Sequence, residues 1–185
     1  MIFSPVRSAF LAALVAATFA TPILSQQTGT GSVLSGTLAP SVNLHPPMGE
    51  KLVFKAHGKG VQIYTCSSSA DSYTWTLKGP DAKLLDAGGH EIGTHSAGPT
   101  WTLEDGSSIK GKAIANRKSA YPDAVPWLLL AVQSHAGQGK LTAIDYVQRT
   151  NTHGGAAPAT GCDAGHAGAE TSVPYSATYS FYGKN

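Results

Sequence analysis

Two short stretches decide the fold: residues 61–66 read VQIYTC, and residues 73–77 read YTWTL. Successive side chains of an extended strand point to opposite faces, so alternating residue types indicate a strand with one buried face. In the first stretch the two faces are Val61, Ile63 and Thr65 against Gln62, Tyr64 and Cys66. In the second, Tyr73, Trp75 and Leu77 oppose two threonines. Both stretches therefore predict β-strands.

A hairpin is predicted further along the chain. Asp105-Gly106 readily adopts the positive φ angles of a tight turn, and residues 100–103 and 107–115 flank it as strands. Upstream, Asp86-Ala87-Gly88-Gly89 predicts another turn, followed by a short extended segment through Ile92.

The second half of the chain continues the β pattern. Residues 127–132 are apolar at every position, which favours a buried central strand, with a short helix as the alternative. Residues 140–149 are expected to form the returning strand, and residues 175–182 alternate as a last strand. The Gly- and Ala-rich residues 152–174 between them predict a loop that contains Cys162.

About eight short strands separated by Gly and Pro turns, without a convincing amphipathic helix, favour a mainly β fold. We therefore predict a single-domain antiparallel β-sandwich or barrel-like fold. No segment repeats as an internal unit, which argues against a solenoid or a propeller.

The first 20 residues have the composition of a secretory signal peptide. Arg7 supplies the positive charge, residues 9–17 are apolar, and small residues lead to Ala20. The apolar run is roughly a dozen residues, whereas a membrane-spanning helix needs about 20. This favours a cleaved signal over a retained transmembrane helix, and it predicts a secreted, extracellular protein with no membrane association after cleavage.

Cleavage is expected near residues 20–25. Residues 21–49 are rich in Gly, Ser, Thr and Pro and predict an extended lead-in with one short strand around residues 33–38. Residues 50–185 are then long enough for one β-rich domain and too short for two.

The charge pattern excludes nucleic acid as a partner. The formal net charge is +2, which falls by one when Arg7 is removed, and charged residues make up 13% of the chain. A nucleic-acid-binding protein concentrates Lys and Arg on one face, whereas here they are scattered. The sequence contains no pattern that fixes an oligomeric state.

The chain has two cysteines, Cys66 and Cys162. In an exported protein two cysteines are most simply one disulfide, because the compartment is oxidising. The alternatives are a metal-thiolate pair and a free reactive thiol. Neither cysteine has a second cysteine at short spacing, which disfavours a structural metal site.

A series of motifs resembles a known exported family. In order they are GVQIYTC (60–66), GTHSAGPTW (93–101), DGS (105–107), VPWLLL (125–130), VQRTNT (147–152), GGAAP (154–158), GCD (161–163) and VPYSA (173–177). This series resembles the family catalogued as domain of unknown function 3455, found in bacteria and fungi. The resemblance implies a secreted single-domain protein and includes both cysteines, which strengthens the disulfide interpretation. It implies no reaction.

His95, Trp101 and Asp105 form one candidate ligand-binding group around the Gly98-Pro99 turn. An aromatic ring beside hydrogen-bonding side chains is typical of sites for sugars and other flat polar ligands. The structural alternative is simpler. Trp101 would belong to the core, His95 would cap the turn, and Asp105 would accept a local turn hydrogen bond.

Arg149 and His153 are the other ligand-binding candidates. Arg149 precedes Thr150-Asn151-Thr152 and Gly154-Gly155, and its guanidinium could bind an anionic or hydroxylated ligand. The structural alternative is an ion pair between Arg149 and Asp145 or another acid across the sheet.

These residues predict a binding or surface module for a small polar ligand or carbohydrate. The alternative is an extracellular metal-assisted hydrolase or redox enzyme that uses His90, His95 and His153. The spacing of His90 and His95 matches neither a His-x-His strand pair nor a helical pair, so we assign no metal ligand. A nucleophile elbow and a phosphate-binding glycine loop are both absent from the sequence, and we assign no catalytic residue and no cofactor.

Overall fold

Eight antiparallel strands form one sheet that closes into a barrel. The computed structural model describes residues 43–70 and 72–184. The strands are β1 (Lys51–Ser69), β2 (Ser72–Leu85), β3 (Glu91–Ser96), β4 (Thr100–Leu103), β5 (Ser108–Arg117), β6 (Trp127–Ala136), β7 (Tyr146–Gly154) and β8 (Glu170–Gly183). This confirms the mainly β, antiparallel fold and the number of strands, and it selects the barrel over the sandwich.

The strands follow one another around the barrel in chain order, and β8 closes it by pairing with β1. Because neighbouring strands run in opposite directions, consecutive connections lie at opposite ends of the barrel. The β2–β3, β4–β5 and β6–β7 connections lie at one end, which we call the lower end. The β1–β2, β3–β4, β5–β6 and β7–β8 connections lie at the upper end.

Side chains alternate between the interior and the outer surface, as the period of a strand requires. On β8 the inward residues Tyr175, Ala177, Tyr179 and Phe181 are all buried. The Phe181 ring stacks on Phe54 of β1, with 4.3 Å between ring centroids. These side chains form part of a continuous hydrophobic core inside the barrel.

The β6–β7 connection fills the lower end. Residues Lys140–Ala143 form a short 3-10 helix, and Leu141 and Ile144 are fully buried in the core. The strand predicted over residues 140–149 is therefore wrong in its first part, because the chain turns inward there and β7 begins at Tyr146. Residues 127–132 form a strand, not a helix, as part of β6.

Three predictions for the N-terminus lie outside the described residues: the signal peptide over residues 1–20, its cleavage near 20–25 and the short strand at 33–38. Within the lead-in predicted over 21–49, the described residues 43–49 contain no strand. No helix in the described ranges is long and apolar enough to cross a membrane.

Cys66 and Cys162 form the predicted disulfide, with 5.3 Å between their Cα atoms. The bond ties the β7–β8 loop to β1, and backbone hydrogen bonds reinforce it. The Cys66 amide donates to the Ala169 carbonyl, and the Gly168 amide donates to the Cys66 carbonyl, both at 2.8 Å. The loop is therefore held against the upper end of the barrel.

Candidate functional site

A cavity of about 220 Å³ lies inside the barrel, near the upper end. Every strand contributes to its lining: Gln62 from β1, Pro80 from β2, His95 from β3, Trp101 from β4, Ala113 from β5, Leu128 and Leu130 from β6, Arg149 from β7 and Tyr179 from β8. Gly98 and Pro99 of the β3–β4 turn lie at the same site. The cavity is thus a product of barrel closure.

The strand register explains why these side chains meet. Residues directly opposite one another on neighbouring strands share a face of the sheet. The structure pairs His95 with Trp101, and Arg149 with Tyr179. It also pairs Gln62 with Pro80, Ala113 with Leu130 and Leu128 with Arg149.

His95 is a buried, neutral imidazole. Its side chain is 2% exposed, and Nδ1 lies 2.8 Å from the Thr100 carbonyl oxygen, which can only accept a hydrogen bond. Nδ1 therefore carries the proton, and Nε2 is left as an acceptor. Burial lowers the pKa of His95 to about 4, while the hydrogen bond to Thr100 opposes that change.

Two buried donors that line the cavity have no hydrogen-bond partner among the described residues. They are the Gln62 Nε2 amide and the Trp101 Nε1 indole N–H. Gln62 is 1% exposed and Trp101 is 0% exposed. Leaving a buried donor unpaired costs about 1 to 3 kcal/mol, so each N–H would be stabilised by an acceptor that reaches it.

Arg149 supplies a positive charge. Its Nε and Nη2 atoms donate to the Pro126 carbonyl oxygen at 3.1 and 2.9 Å, which fixes the guanidinium at the upper end. Arg149 forms no ion pair with any carboxylate in the described part of the chain. The predicted structural alternative, a pair with Asp145, is therefore wrong.

Two tyrosine hydroxyl groups lie close together inside the barrel. The Tyr175 and Tyr179 oxygens are 3.3 Å apart and both rings are buried. Burial raises the pKa of each phenol, and the Arg149 guanidinium acts in the opposite direction on both. Both phenols are therefore uncharged at neutral pH.

The lining carries positive charge and no carboxylate. Its charged residues are Arg149 and Lys78, and Lys78 is already paired with Glu170 at 2.7 Å. The rest of the wall is largely apolar, with Leu77, Pro80, Leu128 and Leu130. Among the described residues, the uncompensated guanidinium of Arg149, the unpaired N–H groups of Gln62 and Trp101 and the acceptor Nε2 of His95 thus belong to the lining of a mostly apolar space.

Asp105 does not lie in this cavity. It belongs to the β4–β5 turn at the lower end, whereas the cavity lies beside the β3–β4 turn at the opposite end of β4. Its carboxylate accepts hydrogen bonds from the backbone and hydroxyl of Ser107 and from the Lys140 amide. These bonds hold the pKa of Asp105 below its usual value. Asp105 therefore stabilises the turn, as the structural alternative predicted.

His153 is also outside the cavity. Arg149 and residue 153 would share a face on a regular strand, but the register of β7 shifts between Thr150 and His153. Asn151 adopts φ 49° at this bulge, so Thr152 is buried and His153 is exposed. His153 instead packs on the Tyr121 ring, with 4.3 Å between centroids.

The three histidines of the metal hypothesis lie apart. His90 is exposed beside Asp86 in the β2–β3 turn at the lower end, His95 lies inside the barrel, and His153 is on the outer surface. Among residues 43–70 and 72–184, no group of three or more His, Cys, Asp or Glu side chains is arranged to hold a metal ion. These three histidines therefore do not share one site.

Gln62 and Tyr179 also line the site, and neither is among the residues predicted from the sequence. The alternation of residues along the strands could have identified both. Gln62 shares a strand face with Tyr64 and Cys66, and Tyr179 shares one with Phe181. A polar side chain on an otherwise apolar strand face is informative, because polar residues are seldom fully buried.

No curated protein and no solved structure matches the chain. The family model described as "Protein of unknown function (DUF3455)" matches residues 47–183, which include every strand, both cysteines and the whole cavity lining. The chain belongs to this family of proteins of unknown function.

Proposed function

We propose that this chain is a secreted binding protein that holds one small polar ligand in the cavity at the upper end of the barrel. The observation that carries the proposal is the set of buried donors without partners, Gln62 Nε2 and Trp101 Nε1, beside the guanidinium of Arg149. Mostly apolar pockets with a few convergent polar groups are typical of small-molecule sites. The signal-peptide pattern and the disulfide support an extracellular location.

The size of the cavity limits the ligand. A buried apolar cavity of about 150 Å³ holds one benzene molecule. The cavity here is about 220 Å³, which leaves room for one ring with a small polar substituent. Pockets for drug-sized molecules are about 300 to 1,000 Å³, so a larger ligand would have to extend through the mouth.

Thermal unfolding with a panel of single-ring compounds, both sugars and aromatic acids, tests this function. A ligand present at about 100 times its Kd stabilises the folded state by about 2.7 kcal/mol. For a domain of this size that raises Tm by roughly 5 to 11 °C. We expect at least one compound of the panel to produce a saturable increase in Tm.

Ala113→Phe and Ile114→Phe provide a matched pair of variants. Ala113 is exposed and lines the cavity, so a phenyl group there would block the mouth. Ile114 is 55% exposed and is not part of the lining. We expect A113F to abolish the increase in Tm and I114F to retain it. No increase with any compound, or an equal increase in both variants, would contradict the proposal.

A further inference from the structure

We infer that the ligand is a small monocarboxylate whose carboxylate group binds to Arg149 and whose apolar ring occupies the rest of the cavity. This inference rests on the proposed function and narrows it to one chemical class. It also departs from the carbohydrate that the sequence suggested.

The balance of donors and acceptors favours a carboxylate. Gln62 Nε2 and Trp101 Nε1 are unpaired donors, and Arg149 adds the guanidinium N–H groups that Pro126 does not use. An ionised carboxylate has about four acceptor sites and no donor, so it can pair with several of these groups at once. A sugar hydroxyl carries a donor as well as acceptor lone pairs, and no carboxylate of the described residues lines the cavity to receive that donor.

The charge balance favours a single negative charge. Lys78 is neutralised by Glu170, and His95 is neutral because its pKa is about 4. Within the described residues, Arg149 is therefore the one uncompensated cation of the lining. A neutral ligand would take water away from the guanidinium without supplying a counter-charge, which is costly. A monoanion restores neutrality and adds charge-assisted hydrogen bonds.

The Trp101 indole, on which a sugar ring would stack, is already covered by other aromatic side chains. The His95 ring stacks on Trp101 with 4.5 Å between centroids and 11° between planes. Tyr179 and Phe181 meet the same indole edge to face, at 5.7 and 6.2 Å. The indole is 0% exposed, so Trp101 offers no open face to a sugar ring. The leucines of the wall suit an apolar ring.

Calorimetric titration with benzoate, benzamide and methyl β-glucoside, in a buffer without carboxylates, tests the class. Benzamide keeps the size and planarity of benzoate but has no charge. We expect benzoate to bind at least tenfold more tightly than benzamide, because a charge-assisted hydrogen bond is worth more than a neutral one by about 1.4 kcal/mol. Binding of the glucoside is expected to be undetectable.

Arg149→Gln separates charge recognition from a structural effect. This variant removes the charge, so we expect benzoate to bind at least tenfold more weakly while benzamide binding stays within twofold of wild type. Arg149→Lys keeps the charge and is expected to preserve the preference for benzoate over benzamide. Equal loss of both compounds in R149Q would overturn the inference, because it would show general disruption of the cavity.

The remaining outcomes distinguish the inference from the proposed function. If benzamide or the glucoside binds as tightly as benzoate, and A113F abolishes that binding, the carboxylate class is wrong and the binding function stands. If none of the three compounds binds and the wider panel gives no increase in Tm, both are wrong.

Discussion

Replacing Cys162 by alanine is expected to lower the free energy of unfolding by about 4 to 5 kcal/mol. Cys162 is bonded to Cys66, 96 residues away in the sequence. In the chain-entropy model, cross-linking a loop of about 100 residues restricts the unfolded chain by about 4.7 kcal/mol. Typical domains are stable by about 5 to 15 kcal/mol, so the variant would lose a large share of its stability.

Urea unfolding of the wild type, C162A and the double variant C66A/C162A measures this effect. Cys66 is 1% exposed, so C162A leaves its thiol packed in place and removes the cross-link together with the partly buried Cys162 sulfur. The further loss in the double variant reports the packing of the Cys66 sulfur. A loss below about 1 kcal/mol in C162A would contradict the expectation, since chain entropy alone predicts several times more.

Hydrogen exchange shows which part of the fold loses stability in C162A. The disulfide holds the β7–β8 loop through the Gly168 amide, which donates to the Cys66 carbonyl. At its other end the loop contacts the cavity lining, because the Tyr64 hydroxyl donates to the Gly155 carbonyl, and Gly155 lies against Gln62. Relative to wild type, we expect C162A to increase the exchange rate of the Gly168 amide more than the exchange rates of amides in β4 and β5, which lie away from the loop.

Lowering the pH is expected to destabilise the protein over a range that is determined by the pKa of His95. Burial lowers the pKa of His95 from 6.5 to about 4 in the folded state. As the pH falls from 6.5 towards 4, the unfolded chain binds a proton at this residue and the folded chain does not, so stability is lost over that range. The difference corresponds to about 3 kcal/mol by pH 4.

His95→Asn isolates this contribution. An asparagine amide can still donate to the Thr100 carbonyl but does not titrate. We expect the unfolding free energy of the wild type to fall between pH 6.5 and 4.5 more steeply than that of H95N. Asp86, Asp105 and Asp163 have pKa values lowered from 3.8, so they act below this window. Parallel pH profiles in the two proteins would show that His95 is not the group responsible.

Much of the fold could be predicted from local patterns. Strand alternation, the Asp105-Gly106 turn and the apolar run over residues 127–132 are all properties of neighbouring residues, and they identify strands directly. Closure of the barrel could not be predicted, because it depends on pairing between β1 and β8, which are more than 100 residues apart. The inward turn at Leu141 was missed because its cause is also distant: Asp105 binds the Lys140 amide.

The candidate site was only partly predictable, for the same reason. His95, Trp101 and Arg149 line one cavity because their strand registers bring them together, whereas Asp105 lies at the other end of the barrel. His153 is displaced by a single bulge at Asn151, which reverses the face of every residue after it. Residue type alone suggests candidate residues, but register and bulges decide which side chains meet.

The indole N–H resonances of the three tryptophans test the binding cavity most directly. Trp101 Nε1 has no partner within the described residues, whereas Trp75 Nε1 donates to the Thr160 carbonyl at 2.9 Å and serves as an internal reference. Phe substitutions at each tryptophan assign the signals, and benzoate, benzamide and methyl β-glucoside are titrated in turn. We predict a saturable downfield shift of the Trp101 signal, largest with benzoate, with the Trp75 signal unchanged and the shift absent in A113F. A Trp101 signal that none of the three compounds moves would contradict a ligand site in this cavity.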